Sequence, residues 1–390
     1  MDGSGPGLGE VARQWARIGI LGFGGPPVHV SMLRELCVDR RGWIDERRFE
    51  DAIAATNLLP GPASTQLAVF CGWRVRGPAG AVVGGLCFIV PGLALIVALA
   101  ALFLSGSPPE WLRGAGAGAG AAVAAVAVDA GLRLAAPAWA RSPGRGRVRL
   151  VFYAAVGAAA AATIGPWLVV VLLACGLAEV LRRGALPRLP GPGAARAHPA
   201  ALLAAVGATV ATGGLAALAW TALKVGALSY GGGFVIIPLM QSDAVDRYGW
   251  MTDGEFLNAV ALGQVTPGPV THTVAVVGYA AAGLGGALLA AAIAFAPSFA
   301  FILFGAQRFD RLLADRTARA FLDGAAPAAI GAILVAAVPL ARALSEGWQV
   351  AVLAAAAIAL LVLRRGVVMT LLIAGAVGAA AGLLGAPLPL

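Results

Sequence analysis

The sequence predicts an all-α integral membrane protein of about 13 transmembrane helices, arranged as two homologous halves of inverted topology. Three observations carry this. Of the 390 residues, 59% are hydrophobic and only 12% charged, with a mean hydropathy of +0.85, whereas roughly a quarter of a soluble chain is charged. The apolar stretches are continuous and not alternating, which excludes an outer-membrane barrel and leaves helices. And the chain repeats itself at an offset of 207 residues.

Each helix is bounded by Arg, Pro or Gly clusters. The first half is expected to hold helices near 11 to 36, 51 to 73, 79 to 104, 114 to 135, 150 to 164 and 166 to 180. The last two are short and meet at Gly165-Pro166, so they read as a tight hairpin that does not fully cross. Met1 to Glu10 is Gly-rich and lacks the basic and apolar regions of a cleavable signal, so insertion is expected to begin at the first span. A Pro/Gly/Arg-rich stretch from Arg182 to His198 separates the halves, which run 1–190 and 200–390 about a linker at 191–199. From Pro199 to Met240 the only charge is Lys224, too long a run for one span. Helices are therefore placed near 200 to 219 and 221 to 240, with Gly213-Gly214 a competing boundary. Others follow near 254 to 281, 284 to 306, 322 to 341, 348 to 363 and 367 to 389.

The extra helix before the second copy makes the halves enter the membrane from opposite sides. With the N-terminus cytoplasmic, this places most of the 28 Lys and Arg inside, including those of Arg133 to Arg149, Arg182 to Arg196, Arg308 to Arg319 and Arg364-Arg365. A parallel arrangement divides them almost evenly. The Arg-rich loop from Arg34 to Arg48 falls outside and runs against the rule. The charge of +9 and pI near 10.4 are thus topological: no basic stripe with interleaved aromatics points to nucleic acid. Cys37, Cys71, Cys87, Cys175 and the three histidines lack metal-ligand spacing, so neither disulfide, metal nor cofactor is expected.

The repeat is specific where it carries chemistry. R-I-G-I-L-G-F-G-G-P from Arg17 is matched by K-V-G-A-L-S-Y-G-G-G from Lys224, and the same offset pairs Asp39 with Asp246, Trp43 with Trp250 and Phe49 with Phe256. It then pairs Pro60-Gly61-Pro62 with Pro267-Gly268-Pro269. Two prolines about a glycine break a helix, by removing N–H donors and clashing with the preceding turn. Broken backbone survives in a membrane only under protein cover or beside a cavity. The half-helix that restarts points free N–H groups inward, a natural seat for an anion. A simple kink would explain one such break. Both are preceded by an amide, Asn57 or Gln264, and followed by hydroxyls, Ser64 and Thr65 or Thr271 and Thr273.

Arg17 and Lys224 offer charge, since a cation within a span usually faces a partner or a pathway. Either could instead snorkel from a helix end. Gly24 and Gly25, with Gly231 and Gly232 opposite, allow close backbone approach to a ligand, or equally helix packing. His29, Asp129 and His272 are candidates for proton coupling, with Glu179 behind them. Asp129 has Arg133 four residues on and could simply pair with it. Between the halves, Pro26 becomes Gly233, His29 becomes Ile236 and Thr65 becomes His272. Trp43 and Trp250 read as interfacial anchors.

The run F-G-G-P-P-V-H at Phe23 to His29, R-G-W-I-D-E-R-R-F at Arg41 to Phe49 and L-L-P-G-P-A-S-T-Q-L-A at Leu58 to Ala68 resembles the chromate ion transporter (CHR) family. With S-Y-G-G-G-F at Ser229 to Phe234 and V-T-P-G-P-V at Val265 to Val270, the resemblance extends over nearly the whole chain, as the two-domain, long-chain form. It implies a multi-pass inner-membrane carrier that exports chromate and confers resistance to it, with sulfate the related oxyanion and a homodimer an allowed assembly. A dianion leaving a cell gains about 4.6 kcal/mol per 100 mV, so membrane potential suffices and a proton gradient is optional. No nucleotide motif is present. The rival readings are a carrier for another oxyanion and an intramembrane enzyme, which would need a catalytic dyad or metal cluster that the spacing does not supply.

Overall fold

In the computed structural model, residues 6–59, 61–105, 108–163, 168–185, 214–229, 236–306 and 315–389 are described, and every regular element among them is helical. The first half runs α1 (Leu8–Leu21), α2 (Pro26–Arg34) with a π-helical extension Glu35–Arg40, α3 (Glu46–Leu58), α4 (Ala63–Phe103), α5 (Glu110–Ala121), α6 (Val123–Ala140), α7 (Arg145–Thr163) and α8 (Leu168–Arg182). The second runs α9 (Gly214–Leu228), α10 (Ile236–Gln241) with a π-helical extension Ser242–Arg247, α11 (Asp253–Val265), a 3-10 turn Val270–His272, α12 (Thr273–Gly305), α13 (Arg316–Arg342), α14 (Gly347–Ala357) with a π-helical extension Ile358–Val362, and α15 (Val367–Leu383). Among the described residues, four stretches are long and apolar enough to cross a membrane: Ala63–Phe103, Glu110–Ala140, Val270–Gly305 and Arg316–Arg342.

The repeat visible in the sequence is a repeat of boundaries. At the 207-residue offset the ends of α1 and α9 coincide, as do both π-helical extensions and both limits of α3 and α11. Their N-caps match too: the Asp45 side chain accepts from Arg48 N–H, and that of Thr252 from Glu255 N–H within a capping box.

Several expected elements differ. The helix expected over 11 to 36 is two, divided at Gly22–Gly25, where Gly24 and Gly25 take φ of +106° and +75°. These glycines make a turn that residues with a Cβ disfavour; a Cβ on Gly25 would meet no protein atom within 4 Å, so helix packing does not require it. The boundary expected near 220 is absent, because α9 passes through it from Gly214, whose φ is +73°. Most of the helix expected over 200 to 219 lies outside the described residues, as do the linker and the Gly165-Pro166 junction.

Straight, the 41 residues of α4 would extend about 60 Å, twice the hydrocarbon thickness. The chain turns back instead at Arg76-Gly77, so that Gly72 packs on the Gly80 carbonyl. Likewise α12 folds at Ala282-Gly283, with Gly278 on the Gly286 carbonyl. Glycine at these four contacts lets two helix legs approach to backbone distance.

The halves are interleaved. The hairpin α7–α8 of the first half packs on α13 of the second, and α15 of the second packs on α5 of the first. Helix α5 has two glycine faces: Gly114 and Gly118 meet α15 at Gly378, while Gly116 and Gly120 meet Asn258 of α11. In the core, α1 lies on α4, with the Trp15 indole donating to the Ala68 carbonyl at 2.8 Å, and α9 lies on α12.

Candidate functional site

Both Pro-Gly-Pro segments interrupt the helix. In the first half α3 ends at Leu58 and α4 begins at Ala63, with Gly61 at φ +120°. In the second, α11 ends at Val265, Gly268 has φ +96°, and a 3-10 turn leads into α12. The N-cap positions there, Pro62 and Pro269, make no side-chain capping bond, in contrast to the capped outer starts of α3 and α11. No N-cap side chain covers the N–H groups at these inner helix starts, the groups that an anion ordinarily meets at a helix N-terminus.

What covers each break comes from the opposite half. Gly268 N–H donates to the carbonyl of Gly22, the residue that ends α1, at 3.1 Å. His29 Nε2 stands 2.9 Å from the same oxygen; as donor there, its ring exposes a bare Nδ1, which has no partner. At the first break the Gly226 carbonyl of α9 and the Ser298 hydroxyl of α12 lie 3.1 and 3.5 Å from where a Gly61 Cβ would stand.

Each break also has a polar side chain from its own half: Gln66 Nε2 would be 2.6 Å from a Cβ on Gly61, and His272 Cε1 2.8 Å from one on Gly268. Gln66, and not Thr65, is thus the spatial counterpart of His272. The second copy has one residue fewer between its break and the next leg, at the 3-10 turn, after which the offset is 206: Gly72 answers Gly278, Gly77 answers Gly283, and Gly92 answers Ser298.

The two breaks are chemically unlike. Around the second are two fully buried histidines, His29 edge-on to Phe88 and His272 edge-on to Phe295, with ring centroids 5.0 and 5.3 Å apart. Neither nitrogen of His272 makes a hydrogen bond of ordinary geometry, although the Ile89 and Pro267 carbonyls lie alongside. Around the first are Gln66 and Ser298. The buried polar atoms without a partner include His29 Nδ1, Thr65 Oγ1, Gln264 Nε2, both His272 nitrogens and Ser298 Oγ. Buried groups are ordinarily paired, so this concentration beside two helix breaks makes them the candidate site. By contrast, Thr56, Thr266 and Thr273 spend their hydroxyls on helix carbonyls.

Other expected site residues are placed as follows. Lys224 is buried on α9 but paired: its ammonium contacts Asp243 Oδ2, which also accepts from Thr221 Oγ1 at 2.7 Å. Asp243 escaped the sequence analysis because it follows an apolar run among residues that read as a loop; its absence from the first half, where Leu36 stands, was the available signal. Arg17 is on the exposed face of α1, beside a hollow shared with Gln14, Glu35 and Arg40, and is not brought to the breaks. Asp129 is held by Arg133 Nε at 2.7 Å, and Glu179 by Arg182, Arg183 and Tyr153. Asn57 lies on the last turn of α3, before the first break; Pro60, Gly231 and Gly232 lie outside the described residues. Gly22 and Ser298 were missed because the residues they meet are distant in sequence, and Gln66 because a constant offset sets Thr65 opposite His272.

A polar-walled cavity of about 290 Å³, lined by Arg113, Asn258, Glu255 and Gln349, opens at the outer end of α11, the helix whose inner end is the second break. No group of three or more His, Cys, Asp or Glu suited to a metal occurs among the described residues.

The family model described as chromate transporter matches residues 9–180 and 216–382. A chromate transport protein of Cupriavidus metallidurans is 31% identical over 98% of this chain and 94% of its own length. One from Pseudomonas aeruginosa is 30% identical over 86% of this chain and 82% of its own. No solved structure matches the chain.

Proposed function

This chain belongs to the chromate transporter family, and on that footing we propose that it carries chromate across the cytoplasmic membrane as a secondary transporter. The observation that carries the proposal is the pair of helix breaks, each covered by the opposite half and lined by buried polar atoms without partners. Chromate is a tetrahedral dianion. N–H groups after Pro62 and Pro269, the hydroxyls of Thr65 and Ser298, and the amides of Asn57 and Gln264 supply neutral donors, and Lys224 supplies charge when it leaves Asp243. His29 and His272, the two candidates for proton coupling that reach the breaks, serve there as hydrogen-bonding groups. Gly61 and Gly268 shape the breaks and Gly24 and Gly25 the turn after α1; Pro60, Gly231 and Gly232 are counted with the site on the sequence repeat alone. Arg17 attracts the anion at the surface.

In this reading the halves, 1–190 and 200–390, form about 13 spans of inverted topology with a cytoplasmic N-terminus, and rock against one another about the breaks. Transport runs outward, driven by membrane potential with or without protons, and yields chromate resistance. No catalytic step is involved.

The test is efflux of labelled chromate from loaded vesicles, with potential and pH gradient set independently. Saturable efflux that follows the potential is the expected result. Movement of sulfate in place of chromate would retire the named solute, and movement of neither would retire the carrier.

A further inference from the structure

The buried pair Lys224–Asp243 has no counterpart in the first half. There the matching cation, Arg17, is exposed and the residue matching Asp243 is the buried Leu36. The architecture therefore forms without an ion pair at this place. Removing two charges from water is costly, and a buried pair is poor evidence for stability alone. Asp243 is 0% exposed and Lys224, the only lysine of the chain, 5%. One carboxylate oxygen, Oδ2, is engaged by Lys224 and Thr221, while Oδ1 has no partner among the described residues. A buried carboxylate with one bare oxygen can take a proton there without breaking a bond. Once it does, the attraction holding the ammonium is lost.

The position suits a switch. Lys224 is two residues, about 3 Å of helix rise, from Gly226, whose carbonyl covers the first break. Asp243 lies in a π-helical turn, an irregularity common at functional sites. Asp246, three residues on in the same turn, is exposed to water. The other groups about Asp243 are Arg247 on the turn, Tyr248 beyond it, and Asp253 of α11, which accepts from the Gln241 amide. Helix α12 contains no Asp, Glu, Lys or Arg, and α13 none between Gly324 and Ala341. Lys224 is thus the one cation in contact with Asp243 among the described residues.

We infer that Asp243 is the proton-binding carboxylate of this carrier, and that Lys224 alternates between Asp243 and the transported oxyanion. A proton from water binds Oδ1, the carboxylate becomes a neutral acid, and Lys224, still an ammonium, turns to the anion. Loss of the proton restores the pair and expels the anion. The inference rests on the oxyanion-carrier reading, but its first test does not.

Infrared difference spectra of the full-length protein in liposomes, taken between neutral and acidic pH without solute, should show a protonated-carboxyl band that Asp243→Asn removes. The double variant Lys224→Leu/Asp243→Leu, which borrows the Leu of the first half, should fold and also lack the band. In the same liposomes with labelled chromate and a luminal pH dye, the wild type should move protons with chromate. Asp243→Asn should lower the pH-gradient-driven flux at least tenfold and leave residual flux without proton movement. A band that survives in Asp243→Asn, or undiminished proton movement with chromate in that variant, would overturn the assignment. A titrating band with no chromate flux in the wild type would support the proton site and count against chromate as solute.

Discussion

Gln66 and His272 fill equivalent places at breaks of opposite halves, which makes each a guide to substituting the other. His272→Gln should fit and keep an amide donor at the second break, whereas His272→Leu leaves none. The expected difference is one hydrogen bond, about 1 kcal/mol or roughly fivefold in apparent chromate affinity, measured by competition in the vesicle assay. Lys224 allows a second prediction. Lys224→Leu alone strands a buried carboxylate and should cost about 3–5 kcal/mol, while adding Asp243→Leu should recover most of it; thermal unfolding of the purified variants reads this directly. The Pro-Gly-Pro segments and Lys224 were legible because rare residues in apolar surroundings repeat at one offset. Asp243, Ser298 and Gly22 were not, since each acts through a residue that only the fold brings near, and Gln66 was hidden by the one-residue change of offset. The repeat also misled in one place: at a constant offset His272 aligns with Thr65, whereas the second copy lacks one residue at the 3-10 turn and His272 answers Gln66.

At the level of elements, glycines that look alike in sequence do different work at the two hairpin bends. Gly283 has φ +61° with open space where a Cβ would be, whereas Gly286 packs against the Gly278 carbonyl. Gly283→Ala should therefore cost only backbone strain, about 1–2 kcal/mol. Gly286→Ala must push the paired helix legs apart and should cost more, with Gly77→Ala and Gly80→Ala repeating the contrast in the first half. Unfolding midpoints of the four variants decide the matter; equal losses within each pair would mean that the legs separate freely. Apolar run length located most helices, including the bends of α4 and α12, whose flanking spans were expected to divide near 73 to 79 and 281 to 284. It missed the division between α1 and α2 because Gly22–Gly25 interrupts no apolar run. Only the φ values identify that turn.

For the whole molecule, the consequential feature is that neither half completes its own break. The second break donates to Gly22 of the first half, and the first lies under Gly226 and Ser298 of the second. The same exchange holds at the periphery, where α7 and α8 pack on α13, and α15 on α5. A half produced alone would expose the glycine faces of α5 or α13 and leave a broken helix uncovered in lipid, where unsatisfied backbone costs several kcal/mol per group. Severing the chain between residues 190 and 200 should thus yield two fragments that are degraded or aggregate when expressed singly, but co-purify and transport chromate when expressed together. A single half that is monodisperse in detergent and keeps its helical content would contradict this, because it would have found cover for its break without the partner. The two copies are repeats in sequence but one unit in stability, because atoms that cover each break belong to the other copy.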